Sequence, residues 1–324
     1  MPFHLTDEQD MIVDTVRKFV ETEIYPHEQL VEETGEVPEE IAREIARKTQ
    51  ELGFFACNFP EEVGGAGLSH VDFCLVEREL GRGSMALTHF FGRPQNILMA
   101  CVGEQRERYL LPAVRGEKWD ALAMTEPGAG SDIRGMKATA KRDGGDWVLN
   151  GTKHFISGAE HADFVICFMA TGEDQTPRGP KKRITTFLVD RGTPGFTIRE
   201  GYKSVSHRGY KNMVLEFDDC RLPDAQVLGE VDGGFEVMNT WLYATRLTVA
   251  AMSVGRARRA FDYALDYAAQ RQQFGQPIGK FQGVSFQLAD MITECDAADL
   301  LTLAAAERLD MERPANREIA SAKL

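Results

Sequence analysis

The hydrophobic period of this chain changes twice, and those two changes restrict the folds open to it more than any single residue does. Up to residue 118 the apolar side chains recur at helical spacing. Thr6-Asp7-Glu8-Gln9 is a capping box, in which hydroxyl and amide side chains each satisfy an orphan backbone N–H, and Ile12, Val16, Phe19 and Val20 follow on one face. Further helices are predicted over 38–52, 69–80, 94–101 and 104–114, separated by turns such as Gly64-Gly65-Ala66-Gly67. Near Trp119 the period becomes that of strands. The stretch 136–157 carries two turn signals, Asp143-Gly144-Gly145-Asp146 and Asn150-Gly151, the second being the strongest short hairpin signal. Strand-like runs continue over 164–170, 184–189 and 213–217, where Met213, Leu215 and Phe217 share a face. Between the first two, 172–183 is polar, holds Arg178, Lys181, Lys182 and Arg183, and reads as a solvated loop, with a contact for ligand phosphates as the alternative. After Pro223 and Gly233-Gly234 the helical period returns over 235–271, with Phe235, Met238, Leu242, Val249 and Met252 expected as a buried stripe, and again over 282–308. The segment 314–324 starts as a helix and meets no stop signal, so a further part of this C-terminal bundle is expected to follow.

The order helix, strand, helix gives an α+β fold in three parts: an N-terminal α-helical domain over 1–118, a central antiparallel β domain over 119–228, and an incomplete C-terminal helical domain over 229–324. With 50 acidic against 37 basic residues, a net charge of −13, the chain repels phosphate backbones, which argues against a nucleic-acid partner. Six cysteines stand singly with no C-x-x-C pair, as free thiols in a reducing compartment do. Met1-Pro2-Phe3-His4-Leu5 leads straight into an acidic helix without a secretory or transit pattern, and no apolar run is long enough to span a bilayer. A cytoplasmic protein without membrane insertion is expected.

Two suggestive patterns carry no chemistry. Gly81-Arg82-Gly83-Ser84-Met85-Ala86 fits a loose dinucleotide fingerprint but follows a helical run where that fold needs a strand, so it reads as a helix stop. The seven histidines show no metal-ligand spacing; His154 and His161 are expected at the surface or in hydrogen bonds, and no metal is expected.

Three runs do point to chemistry. Leu122-Ala123-Met124-Thr125-Glu126-Pro127-Gly128-Ala129-Gly130-Ser131-Asp132, followed by Gly135, lies where helix gives way to strand. Thr125 and Ser131 offer hydroxyls there, and the glycines let a flat ligand approach backbone N–H groups; by itself the run could be an interdomain turn. Asn150-Gly151-Thr152-Lys153-His154-Phe155-Ile156-Ser157 offers an aromatic face and a hydroxyl, though Phe155 alone could be a buried strand residue. Gln270-Arg271-Gln272-Gln273-Phe274-Gly275-Gln276-Pro277-Ile278, with Phe281-Gln282, sets a guanidinium at a helix end, where it could simply complement the dipole.

Together these runs resemble the acyl-CoA dehydrogenase family, and landmarks such as Pro60-Glu61-Glu62-Val63-Gly64-Gly65 and Glu104–Leu110 extend the resemblance over essentially the whole chain. The resemblance implies FAD as cofactor, held by Leu122, Met124, Thr125, Gly130, Ser131, Phe155, Ile156 and Ser157. It implies that Arg271, Phe274 and Gln282 reach the flavin of a neighbouring subunit. Phe155 stands where many members have tryptophan. The implied reaction is oxidation of an acyl-CoA thioester to the 2-enoyl form, with electrons passing to an electron-transfer flavoprotein and the enzyme assembled as a homotetramer or dimer. Ser131, Gln95, Leu242, Tyr243, Thr245, Arg246 and Val249 would meet the substrate, and Arg93 and Gln95 hint at a polar or branched acyl group. Of the two positions that host the basic glutamate in the family, one is Thr245 here, so no residue of this chain is a candidate base and the base is expected beyond Leu324. A flavin oxidase or monooxygenase of the same fold, or a non-catalytic flavin-binding member, is the alternative.

Overall fold

A computed structural model describes residues 4–177 and 179–324; Met1, Pro2, Phe3 and Arg178, one of the cations of the stretch expected as a loop, lie outside the described residues. The chain enters through α1 (Asp7–Phe19), where Thr6 accepts from the Gln9 N–H and Gln9 returns a bond to the Thr6 N–H, as the capping box requires. A π-helical turn leads into α2 (Tyr25–Thr34), and α3 (Glu39–Glu51) and α4 (His70–Gly81) follow, the latter capped by Ser69. Two short pieces, α5 (Met85–Thr88) and α6 (Leu111–Val114), complete the helical third; the expected helices over 94–101 and 104–114 appear as a 3-10 turn and a π-turn running into α6.

The β region is an eight-stranded sheet made of β1 (Asp120–Ala123), β2 (Thr139–Asp143), β3 (Asp146–Ser157), β4 (Phe164–Thr176), β5 (Gly179–Asp190), β6 (Phe196–Tyr202), β7 (Asn212–Pro223) and β8 (Val227–Leu228). Its order is β6-β7-β3-β2-β4-β5-β8, antiparallel except that β1 and β2 run parallel to β4. The helical remainder is α7 (Gly234–Gln270), a small hairpin of β9 (Gln272–Gln273) and β10 (Gln276–Pro277), α8 (Gln282–Asp310) and α9 (Asn316–Lys323).

Three local expectations are corrected. The polar stretch 172–183 is mostly strand rather than loop, β4 reaching Thr176 and β5 starting at Gly179, because the register sets Glu173 opposite Lys182 and Asp174 opposite Lys181, and opposite charges facing across a ladder support a solvated pair. Asn150-Gly151 is not a turn but an irregularity inside β3, where the pairing with β7 shifts register between Leu149 and Gly151. Gly151 is required there by close packing, since a Cβ would stand 2.6 Å from Ala138 Cα, and the Asn150 side chain accepts from the Asp219 N–H. On α7, Met238 and Met252 are buried as expected, but Val249 is 40% exposed and the inward stripe is carried by Leu247, Ala250 and Ala251 instead.

Contacts group the chain into two compact units that interleave along the sequence. One comprises residues up to Gln29, Leu68–Thr88 and Tyr243–Leu324, and packs Val13, Leu75, Leu247, Ala251 and Leu303 into its core. The other comprises Leu30–Gly67 and His89–Leu242. Its sheet is buried on both faces: Trp147, Leu149, Val165, Cys167 and Leu215 on one, and Phe164, Ile166 and Phe168, against Phe59, Leu98 and Leu110, on the other. All six cysteines are free and buried.

Candidate active site

In the sheet-bearing unit the first motif begins on β1. Alternation along this strand sends Ala121 and Ala123 into one core and leaves Asp120 and Leu122 half-buried on the opposite face. After β1 the chain closes a tight turn in which Glu126 N–H donates to the Ala129 carbonyl (2.9 Å) and Ala129 N–H to the Glu126 carbonyl (3.2 Å). Gly128, Gly130 and Ser131 on this turn are exposed, and no atom lies within 4 Å of where a Cβ would stand on either glycine. The backbone is therefore open to a flat ligand.

The second motif is brought against the first by β3. Its register against β7 shifts between Lys153 and Ile156, so the backbone at 154–155 leaves the ladder and His154 N–H donates to the Thr125 carbonyl at 2.9 Å. A bulge of this kind re-aims a side chain. Here it holds Phe155 at φ 57° with half of its surface exposed, its ring 4.5 Å from that of Tyr202 and tilted 43° to it. A bulky residue with positive φ is an outlier that the surrounding structure must hold in place. Ile156 is buried, and the Ser157 hydroxyl donates to Asn212 Oδ1 at 3.1 Å. Thus Leu122, Met124, Thr125, Gly130, Ser131, Phe155, Ile156 and Ser157 belong to one local constellation. His154, buried and bonded to the Tyr202 hydroxyl, takes the hydrogen-bonding role expected of it.

What fastens the two motifs was not foreseen from the sequence. Lys153 is fully buried, with Nζ donating to Glu126 Oε1 (2.8 Å) and to the Met124 carbonyl (3.1 Å). Glu126 in turn accepts the backbone N–H of Lys137 (2.6 Å) and Ala138 (3.1 Å). A buried ion pair with both partners also bonded to backbone groups fixes geometry more than it adds stability. The signal available was a lysine among inward-facing strand residues, which a sequence pattern does not match to a glutamate 27 positions earlier.

Gln95 is also in this unit, its side-chain oxygen accepting from Trp241 Nε1 and its backbone N–H donating to Asp120 Oδ2 at 3.3 Å. Leu242 is half-buried beside the same core. Burial pushes the Asp120 carboxyl up to about 7.

The remaining expected residues lie in the helical unit. Arg271 follows directly on α7, and the β9–β10 hairpin turns through Phe274 (φ 51°) and Gly275 (φ 77°) before Gln282 opens α8. Phe274 is 92% exposed, a large aromatic presented to solvent on a left-handed turn. On α7 the Tyr243 hydroxyl accepts from the Ala315 N–H at 3.3 Å, a bond that serves the core of this unit. Thr245 is half-buried, and Arg246 and Val249 are exposed.

Three family models cover almost the whole chain: the acyl-CoA dehydrogenase N-terminal domain over residues 6–117, the middle domain over 121–220 and the C-terminal domain over 232–324. The chain belongs to the acyl-CoA dehydrogenase family. It is thus an oxidoreductase by lineage, and the helix, sheet, helix order is that of its relatives. Benzylmalonyl-CoA dehydrogenase of Aromatoleum aromaticum is 38% identical over 331 residues, covering 100% of this chain and 85% of that one. The caffeyl-CoA reductase-Etf complex subunit CarC of Acetobacterium woodii is 34% identical, with 99% of this chain and 84% of that one covered. Among solved structures, butyryl-CoA dehydrogenase from Megasphaera elsdenii superposes with a TM-score of 0.88 at 31% identity, covering 99% of this chain and 84% of that one.

Proposed function

We propose that this acyl-CoA dehydrogenase uses FAD to oxidise a saturated acyl-CoA thioester to the 2-enoyl-CoA and passes the electrons to an electron-transfer flavoprotein. The observation that carries the reading is the open turn at Gly128 and Gly130 with the Phe155 bulge fastened beside it. Exposed backbone, hydroxyls at Thr125, Ser131 and Ser157, and an aromatic face suit a flat, polar-edged ring system. FAD fits these residues, and when bound it supplies the acceptor for the β-hydride.

The roles of the chain's own residues follow. Leu122, Met124 and Thr125, with Gly130 and Ser131, would seat the cofactor from the turn, and Phe155, Ile156 and Ser157 from the bulge. Arg271, Phe274 and Gln282 are proposed to reach the FAD of a neighbouring subunit, where a guanidinium neutralises pyrophosphate; the exposure of Phe274 supports this, and with exposed Tyr263 and Phe286 it supports a homotetramer. Ser131 would meet the pantetheine arm. Gln95 and Leu242, and on the helical unit Tyr243, Thr245, Arg246 and Val249, are proposed for the acyl-CoA. Thr245 carries no carboxylate, so proton abstraction is not assigned to it. An electron-transfer partner is supported by the Etf complex to which one relative belongs. Six buried free thiols suit the reducing cytoplasm, where we place the protein.

Anaerobic titration of the purified protein with a panel of acyl-CoAs, followed by flavin absorbance, tests this. Retained FAD whose spectrum is perturbed and bleached by a thioester, then restored by a flavoprotein acceptor, is the expected outcome. Fast reoxidation by oxygen would point to an oxidase, and a spectrum that no thioester alters would overturn the reading.

A further inference from the structure

Asp120 opens β1, two residues before Leu122 and on the same half-buried face. Along a strand that separation is about 7 Å. Its carboxyl accepts the Gln95 N–H at 3.3 Å, and the Gln95 amide oxygen is occupied by Trp241 Nε1, so three polar side chains from separate elements meet on one side of the sheet. The rest of that face is apolar, with Trp119, Leu122, Met124, Trp241 and Leu242 packed against Phe164 and Leu188.

We infer that Asp120, supported by Gln95 and Trp241, recognises a hydrogen-bond donor at the far end of the acyl group, and that the preferred thioester carries a terminal hydroxyl. The inference rests on the acyl-CoA reading proposed above and deepens it by naming the substrate class.

A carboxyl set among apolar side chains is costly unless paired. Desolvation dominates at Asp120 and is countered by the backbone N–H groups of Gln95 and of Asp120 itself, with no cation contributing. A ligand hydroxyl would add a side-chain partner to those backbone bonds. Because the Trp241 indole already donates to the Gln95 oxygen, the amide of Gln95 is fixed with its NH2 group directed away from that bond. The site thus offers an acceptor at Asp120 and a donor at Gln95, which matches a hydroxyl, both donor and acceptor. A 3-(4-hydroxyphenyl)propanoyl thioester carries such a hydroxyl at the end of an otherwise apolar group, in keeping with the apolar side chains around Asp120. Sites built to bond a hydroxyl discriminate strongly against the analogue that lacks it, because their own polar groups are left unpaired.

Isothermal titration calorimetry on the FAD-loaded protein compares 3-(4-hydroxyphenyl)propanoyl-CoA, its 4-methoxy analogue and 3-phenylpropanoyl-CoA, and requires no turnover. Wild type is expected to bind the hydroxyl compound at least about tenfold tighter than the other two, a difference of about 1.4 kcal/mol. Asp120→Leu is expected to erase that preference while still binding the phenyl compound, and Asp120→Asn to retain part of it. Equal affinities in wild type, or a preference that survives Asp120→Leu, would overturn the inference and leave the acyl-CoA reading in place. Failure of all three to bind, with the flavin still bleached by another acyl-CoA of the panel, would likewise overturn the inference alone, whereas a flavin that no acyl-CoA perturbs would remove both.

Discussion

The buried Lys153–Glu126 pair ties the turn after β1 to the bulge in β3, and its energetics follow from what each side chain would face alone. Lys153→Met leaves a carboxylate in the core with only backbone N–H partners, and breaking a buried pair in this way costs about 3–5 kcal/mol. Urea unfolding of the variant is expected to show a loss of that size. Lys153→Met combined with Glu126→Gln should recover much of it, since the stranded charge is then gone, while FAD affinity should stay reduced because Met124 loses the Lys153 bond that fastens it. Full stability in the single variant would show that the pair is dispensable. Both residues stand inside motifs that the sequence displays openly, yet their partnership was illegible there, because alternation marks a position as inward-facing without naming what it meets. Phe155 and Phe274 were legible as aromatic residues within the motifs; their left-handed backbone conformations were not.

Whole elements were legible where the pattern is local. The capping box of α1, the serine cap of α4 and the glycine stop after it all stand where residue order puts them. Elements that depend on a distant neighbour were not. The β4–β5 hairpin is stabilised by charges that pair only in register, and Asn150-Gly151 forms no turn because β7 and Ala138 claim its backbone. The crossing of α4 with α7 is another such case: a Cβ at Gly81 would lie 2.2 Å from the Met252 carbonyl oxygen, and one at Gly255 only 1.9 Å from that of Arg78. These glycines let two helix backbones touch. Gly255→Ala improves helix propensity by roughly 1 kcal/mol yet forces the helices apart. Overpacking costs about 1–3 kcal/mol, and because the obstacle is backbone the upper end is expected, so thermal denaturation should show a net loss. A variant as stable as wild type would mean that the helices separate freely.

At the scale of the whole molecule, the pH dependence of stability carries two opposed contributions from buried groups. His89 is held down to about 3 by burial and then by the nearby charges of Arg93 and His161. The unfolded chain protonates this imidazole near 6.5 while the folded one does not, so stability is lost as pH falls from there toward 3. Asp120, pushed up to about 7 by burial, works the other way: the unfolded chain ionises near 4 while the folded one stays protonated, and stability is lost as pH rises through that window. Asp120→Asn should therefore match wild type near pH 4 and exceed it at pH 8 by about 1–3 kcal/mol, allowing for residual solvent contact. Urea unfolding at the two pH values measures this; an advantage confined to the acid side would show the sign to be wrong.

The sequence by itself determined the α+β class, the order of helix, strand and helix, and the runs that mark the family, because periodicity, caps and glycine positions act through residues close along the chain. Only the tertiary structure decided that helices from both ends of the chain share one core, that Lys153 answers Glu126, that a bulge turns Phe155 outward, and that Asp120 meets Gln95 and Trp241. Each of these is a contact between groups far apart in sequence. Local pattern sets which face of an element is buried, and packing sets which partner is found there.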